Sequence, residues 1–161
     1  MTIALLAIAF RILWYSGRLF VFPFSQVADG FWMALPLAIL IRLVPKVGVS
    51  SLYYLTWSLF NTFFQGEGPL TAVLLLPVGI LPDLFLYLRR RRIDSSMTVI
   101  VTATSAAFFY SALLSILYKY YFLYPVTPEV WAYILPFCVV AAAIGALIGD
   151  RLGKRVKPLL R

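Results

Sequence analysis

The sequence contains no histidine and a single cysteine, Cys138, set inside an apolar stretch. The first absence removes the most common general base and metal ligand. The second leaves neither a disulfide framework nor a thiolate metal site. Charge is also scarce: Asp, Glu, Lys and Arg supply 12% of the 161 residues, where an ordinary soluble domain carries about 25%. There is no GxxxxGK[ST] loop, no HExxH and no GxSxG, so the usual means of hydrolysing a nucleotide and the signatures of the common membrane hydrolases are missing. Neither a metal nor an organic cofactor is expected.

What is present is apolar. Hydrophobic residues make up 63% of the chain, and the mean hydropathy is +0.94. Apolar segments fall at about 3–22, 28–44, 47–64, 68–88, 96–122 and 128–150, separated by PFSQVAD, VPKVG, QGEG, RRRRIDS and YPVTPE. Each segment has about the length that spans a bilayer as a helix, and the breaks hold Pro23, Gly30, Pro45, Gly48, Gly66, Gly68, Pro69, Pro125 and Pro128, which punctuate helices. The reading is an all-α membrane protein, residues 1–161 forming one bundle of six transmembrane helices. The opening MTIALLAIAFR has no positive n-region and no small-residue cleavage site, so it reads as the first helix rather than a signal peptide.

The formal charge of +8 fits membrane orientation better than nucleic acid, because the basic residues flank the apolar segments. With the N-terminus cytoplasmic, one side collects Arg42, Lys46, Arg89 to Arg92, Arg151, Lys154, Arg155, Lys157 and Arg161, leaving Lys119 near the other and Arg11 and Arg18 inside the first segment. That bias predicts both termini cytoplasmic. No nucleic-acid partner is expected; the RRRRID run suits anionic membrane lipid or a cytoplasmic partner. The outer loops then carry Asp29, Glu67 and Glu129.

Glu67 stands between Gly66 and Gly68-Pro69, with Trp57, Asn61 and Gln65 before it in sequence. A carboxylate at a helix start is favoured by the macrodipole alone. Set among aromatics, it also suits a cationic or amine-bearing heterocycle through a charge-assisted hydrogen bond and ring stacking. Tyr118, Tyr120, Tyr121, Tyr124, Trp131 and Tyr133 cluster at the outer ends of the last two segments, where an interfacial aromatic belt is the ordinary explanation. Arg18 lies in the outer half of the first segment, and an intramembrane arginine faces a partner or a cavity. It is expected to pair with Asp29 or Glu67, or to meet an anionic ligand group. Asp83, near the inner end of the fourth segment, is expected to pair with an arginine. Ala141, Gly145 and Gly149, with Ala142 and Ala146, form ladders at four-residue spacing that permit close helix packing.

Six short helices with both ends inside, an outward polar pocket and no energy-converting motif resemble an S component of an energy-coupling factor (ECF) transporter. The most similar stretch is FWMALPLAILIRLVPKVGVSSLYYLTWSLFNTFFQGEGPLTAVLLLPVGILPDLFLYLRR. The resemblance implies a substrate-binding subunit of a prokaryotic vitamin importer in the plasma membrane, multi-pass, without catalytic activity. It implies as partners a small vitamin-like substrate, a transmembrane coupling subunit and cytoplasmic ATPases. The substrate is expected between the outer halves of the fourth to sixth helices, under a lid between the first two. Carried onto this chain, the expected substrate-binding residues are Glu67, Asn61, Trp57, Gln65, Asp29, Arg18, Tyr121, Tyr124 and Trp131. The Glu, Trp and Asn environment is most similar to the thiamine or hydroxymethylpyrimidine type. The family's AxxxA pattern for docking the coupling subunit is absent, since the alanines of the first segment stand at Ala4, Ala7 and Ala9.

Two other classes fit the composition. A self-contained secondary transporter or channel would show duplicated halves or a polar path across the midplane, and only Arg11 reaches mid-depth. A lipid-modifying enzyme needs its acid, base and phosphate-binding groups on one side, whereas Glu67 is expected on the opposite side from Asp83 and Arg89 to Arg92. The topology itself is directly testable. Cysteines introduced at Gly66 and Thr127 in a Cys138→Ala background are expected to react with an impermeant thiol reagent in intact cells, and one at Ser95 is not. Labelling at Ser95 alone inverts the orientation.

Overall fold

The computed structural model describes residues 24–60, 62–63, 68–89, 93–120 and 128–160. Among the described residues five α-helices follow one another: α1 (Phe24–Leu43), α2 (Val49–Phe60), α3 (Gly68–Leu88), α4 (Ser96–Tyr120) and α5 (Pro128–Val156), which runs on into a short 3-10 turn, Lys157–Leu160. No strand occurs among the described residues. The first apolar segment, 3–22, lies outside them. The other five stand where the hydropathy pattern places them.

Two boundaries differ. The α1 helix already includes Phe24, so most of the expected break PFSQVAD is helical, and Gly30, expected among the breaks, lies inside it too. Asp29, expected in an outer loop, is therefore inside α1 and buried. At the other end α5 extends beyond 150 to Val156, because Asp150 and Lys154 pair across one turn at 3.0 Å.

Every residue of α1 from Met33 to Arg42 is buried. A helix that is apolar all round must be enclosed by others, and here α5 lies along α1 most extensively, with α4 on a second side. Contacts rise together along the two chains: Gly145 meets Phe31, Gly149 meets Leu35 and Ala38, and Gly153 meets Arg42. The α1 and α5 helices are therefore parallel. A Cβ at Gly145 would come within 2.5 Å of the Phe31 carbonyl oxygen, which is backbone and cannot swing aside. The small-residue ladder is thus an internal packing seam, with Ala142 and Ala146 fully buried beside it.

The α2 and α3 helices form an antiparallel pair, with Ser51 and Tyr54 over Gly79 and Ser50 and Ser51 over Asp83. Gly48 precedes α2 with φ +97°, a conformation that glycine adopts readily and L residues resist. Lacking a side chain, it cannot cap the helix. Asp83 does so from α3, accepting the backbone N–H of Ser50 at 3.1 Å and of Ser51 at 2.7 Å. The expected arginine partner for Asp83 is thus replaced by two main-chain donors at a helix N-terminus, where a carboxylate also meets the favourable end of the macrodipole.

Outward faces are apolar as well. Val73, Leu76, Ile80, Leu84 and Leu88 mark one exposed stripe along α3, and Tyr133, Phe137, Val140, Ile144 and Leu147 mark another along α5. Both recur every three or four residues, as one face of a helix does. Ser96–Leu113 and Trp131–Leu159 are each long and apolar enough to cross a membrane by length and composition. A surface of this kind suits lipid rather than water.

Adding one methyl group at the seam separates α1 from α5. Gly145→Ala is expected to cost about 1–3 kcal/mol, lowering the apparent melting temperature in detergent by several degrees, whereas Ile144→Ala on the exposed face changes it little.

Candidate functional site

Polar side chains gather in two places. The first is the basic end of the bundle, where α1 stops, α4 starts and α5 finishes. Arg42 donates from Nε to Asp150 Oδ1 at 2.8 Å, with a second bond from its terminal nitrogen to the same oxygen. That same terminal nitrogen also reaches the Ser96 hydroxyl at 3.2 Å, and the remaining one reaches the Asp94 carbonyl. Lys154 bonds the second Asp150 oxygen at 3.0 Å and Ser96 Oγ at 2.6 Å, and Lys157 meets Asp94 at 3.1 Å. Arg42 and Asp150 are both buried. A buried ion pair is tolerable when further hydrogen bonds satisfy both partners, and here they do. Each carboxylate in this network already answers a cation, so it ties three helices together and offers no unmet acid to a ligand.

The second place is the aromatic interior of α2 and α4. In the α2 run YYLTW, Tyr53 and Trp57 stand one turn apart, and Tyr54 and Trp57 are three residues apart, so all three rings meet on one side of the helix. Trp57 stacks on Tyr54 with centroids 5.7 Å apart and on Tyr110 of α4 at 5.8 Å; Tyr53 lies edge-on to Tyr54 at 5.2 Å. Tyr53, Tyr54 and Trp57 are buried, and Ser58 is buried beside them. The next residue along α4 after Tyr110, Ser111, turns toward α5 and hydrogen-bonds Cys138. Cys138 packs with Trp131, Ile134 and Val27 in a smaller buried cluster, and Asp29 lies close enough to interact electrostatically with its sulfur. Residues 110 and 111 of α4 thereby join the two clusters.

Three of the expected substrate-binding residues are among the described ones, and the fold brings all three inside. Trp57 is the middle ring of the stack. Trp131 is buried under Val27, unlike its neighbour Tyr133, which is 75% exposed in the manner of an interfacial ring. Asp29 is buried on α1, not held on a lid. Arg18, Asn61, Gln65, Glu67, Tyr121 and Tyr124 lie outside the described residues. Tyr54 and Tyr110 escaped the sequence reading. Tyr54 had a signal in its i, i+3 spacing from Trp57; Tyr110 had none, because its partner is on a distant helix.

No family model matches the chain, and no curated protein matches it. Among solved structures, a crystal structure of an S-component of an ECF transporter matches with a TM-score of 0.66 at 19% identity, over 99% of this chain and 82% of that one. The chain has the S-component fold. At that identity the likeness is one of backbone arrangement. Within the S-component fold the basic network closes one end of the bundle, and the aromatic stack fills the space between α2 and α4.

The network carries its own test. Arg42→Met leaves Asp150 buried with only Lys154 as a charged partner, and is expected to destabilise the protein by about 3 kcal/mol or somewhat less. Arg42→Met combined with Asp150→Leu removes both charges and is expected to regain most of that loss, read as apparent melting temperature in detergent.

Proposed function

We propose that this protein is the substrate-binding subunit of a prokaryotic ECF-type importer, which captures a small water-soluble vitamin or vitamin precursor at the outer face of the plasma membrane. The observation that carries the reading is the S-component fold over 99% of the chain. The interior supports it: it holds buried aromatic rings, and a buried carboxylate, Asp29, stands toward the opposite end of α1 from Arg42 of the basic network. The substrate class that suits these groups is a flat, amine-bearing heterocycle of the thiamine or hydroxymethylpyrimidine type. Glu67, with Asn61 and Gln65 near it in sequence, supplies the charge-assisted hydrogen bond. Trp57 and Trp131 supply ring surface, and Asp29, Arg18, Tyr121 and Tyr124 complete the polar rim.

The basic end faces the cytoplasm in this reading, with both termini on that side and six spanning helices in all. The chain has no nucleotide-binding motif, so uptake depends on a transmembrane coupling subunit and partner ATPases. Binding is the whole of its own task; no bond is made or broken.

Purified protein in liposomes is expected to bind thiamine or hydroxymethylpyrimidine without accumulating it, and to support ATP-dependent uptake once coupling and ATPase subunits are added. Glu67→Gln keeps the shape and removes the charge, and should cost about 2–5 kcal/mol of binding, or roughly thirtyfold to several thousandfold in affinity. Accumulation by the protein alone, driven by an ion gradient, would point instead to a self-contained secondary transporter.

A further inference from the structure

Tyr54 is an expensive choice for its position. Its side chain is fully buried, and its hydroxyl has no hydrogen-bond partner among the described residues. A buried hydroxyl without a partner lowers stability, and phenylalanine would fill the same space without that penalty. Ser50, one turn earlier on the same helix, has a buried hydroxyl in the same condition. Both groups lie on α2, outside the basic network, where Asp150 and Asp94 are each met by a cation.

The stack joins two helices through side chains. Trp57 and Tyr110 belong to α2 and α4, whose backbones scarcely approach one another, so only side chains set the 5.8 Å between the two rings. A flat ring inserted between them needs about 7 Å, two contacts of about 3.5 Å. That requires a movement of roughly an ångström in side chains, with no helix seam broken. The Tyr53 and Tyr110 phenols lie close enough to Tyr54 to interact with it electrostatically, so the unmet hydroxyl stands near the place where such a ring would lie.

We infer that Tyr54, Trp57 and Tyr110 form the ring-recognition element of the substrate site: a flat heteroaromatic ligand enters between Trp57 and Tyr110, and the Tyr54 hydroxyl hydrogen-bonds a polar atom on its edge. The inference rests on the substrate-binding reading above and narrows it to ligands with a planar, heteroatom-bearing ring. It also gives the buried hydroxyl a use. The group is a liability in the unliganded protein and a source of specificity in the bound one, because a site built to hydrogen-bond a ligand edge rejects a ring that lacks it.

Titration calorimetry and tryptophan fluorescence separate the outcomes. The probes are thiamine, hydroxymethylpyrimidine and riboflavin as heteroaromatic compounds, with biotin and pantothenate as compounds without an aromatic ring. At least one of the first group should bind and quench fluorescence in the wild type, with the quenching much reduced in Trp57→Phe. Tyr54→Phe should weaken that binding at least tenfold, while the melting temperature of the unliganded variant stays the same or rises. Undiminished affinity in Tyr54→Phe, or binding confined to biotin or pantothenate, overturns the inference and leaves the vitamin-capture reading standing. A lower melting temperature for unliganded Tyr54→Phe gives the hydroxyl a structural role and overturns it equally. Binding of none of the five compounds removes both.

Discussion

The close approach of α5 to α1 is the constraint on which the rest of the bundle depends. From Met33 to Arg42 α1 has no face to offer the surroundings, so its neighbours must enclose it. Between helices in lipid the hydrophobic effect gives little net attraction, and association comes from tight van der Waals contact. Glycines at 145, 149 and 153 permit that contact by letting the α5 backbone lie directly against α1. With α5 on one side and α4 on another, the outer faces of α3 and α5 are left free to carry their apolar stripes.

That arrangement also divides the polar groups by task. The chain has six acidic residues. Asp150 and Asp94 hold Arg42, Lys154 and Lys157 at the basic end, and Asp83 caps α2 next to it. All three are thereby committed to structure. Asp29, Glu67 and Glu129 remain, and Asp29 is buried beside Cys138, well away from the basic network. The described interior between α2 and α4 is aromatic.

The helices were legible because their signal is local. Apolar runs of spanning length, broken by proline and glycine, place α2, α3 and α4 to within a few residues. The ladder of small residues in α5 was legible too, since four-residue spacing puts Gly145 and Gly149 on one face whatever packs there. Asp29 was harder. PFSQVAD has the composition of a connection, yet residues 24–29 of it are helical, and the Gly30 that follows packs against Cys138. The carboxylate goes into the interior with it. Asp83 shows the same limit: the nearby arginines suggested an ion pair, yet two backbone N–H groups at the start of α2 lie within its reach. A sequence does not display unsatisfied main-chain donors.

By itself the sequence determined the helical class, the membrane-like composition and the gathering of basic residues at alternate breaks, because each follows from composition and from periodicity along one stretch of chain. Which ring meets which was decided only in three dimensions. Trp57 finds Tyr110, Arg42 finds Asp150 and Asp29 comes beside Cys138 across long separations in the chain. Such pairings depend on which helices run parallel and how closely their backbones approach, and helical periodicity says which face a residue occupies but not what lies opposite.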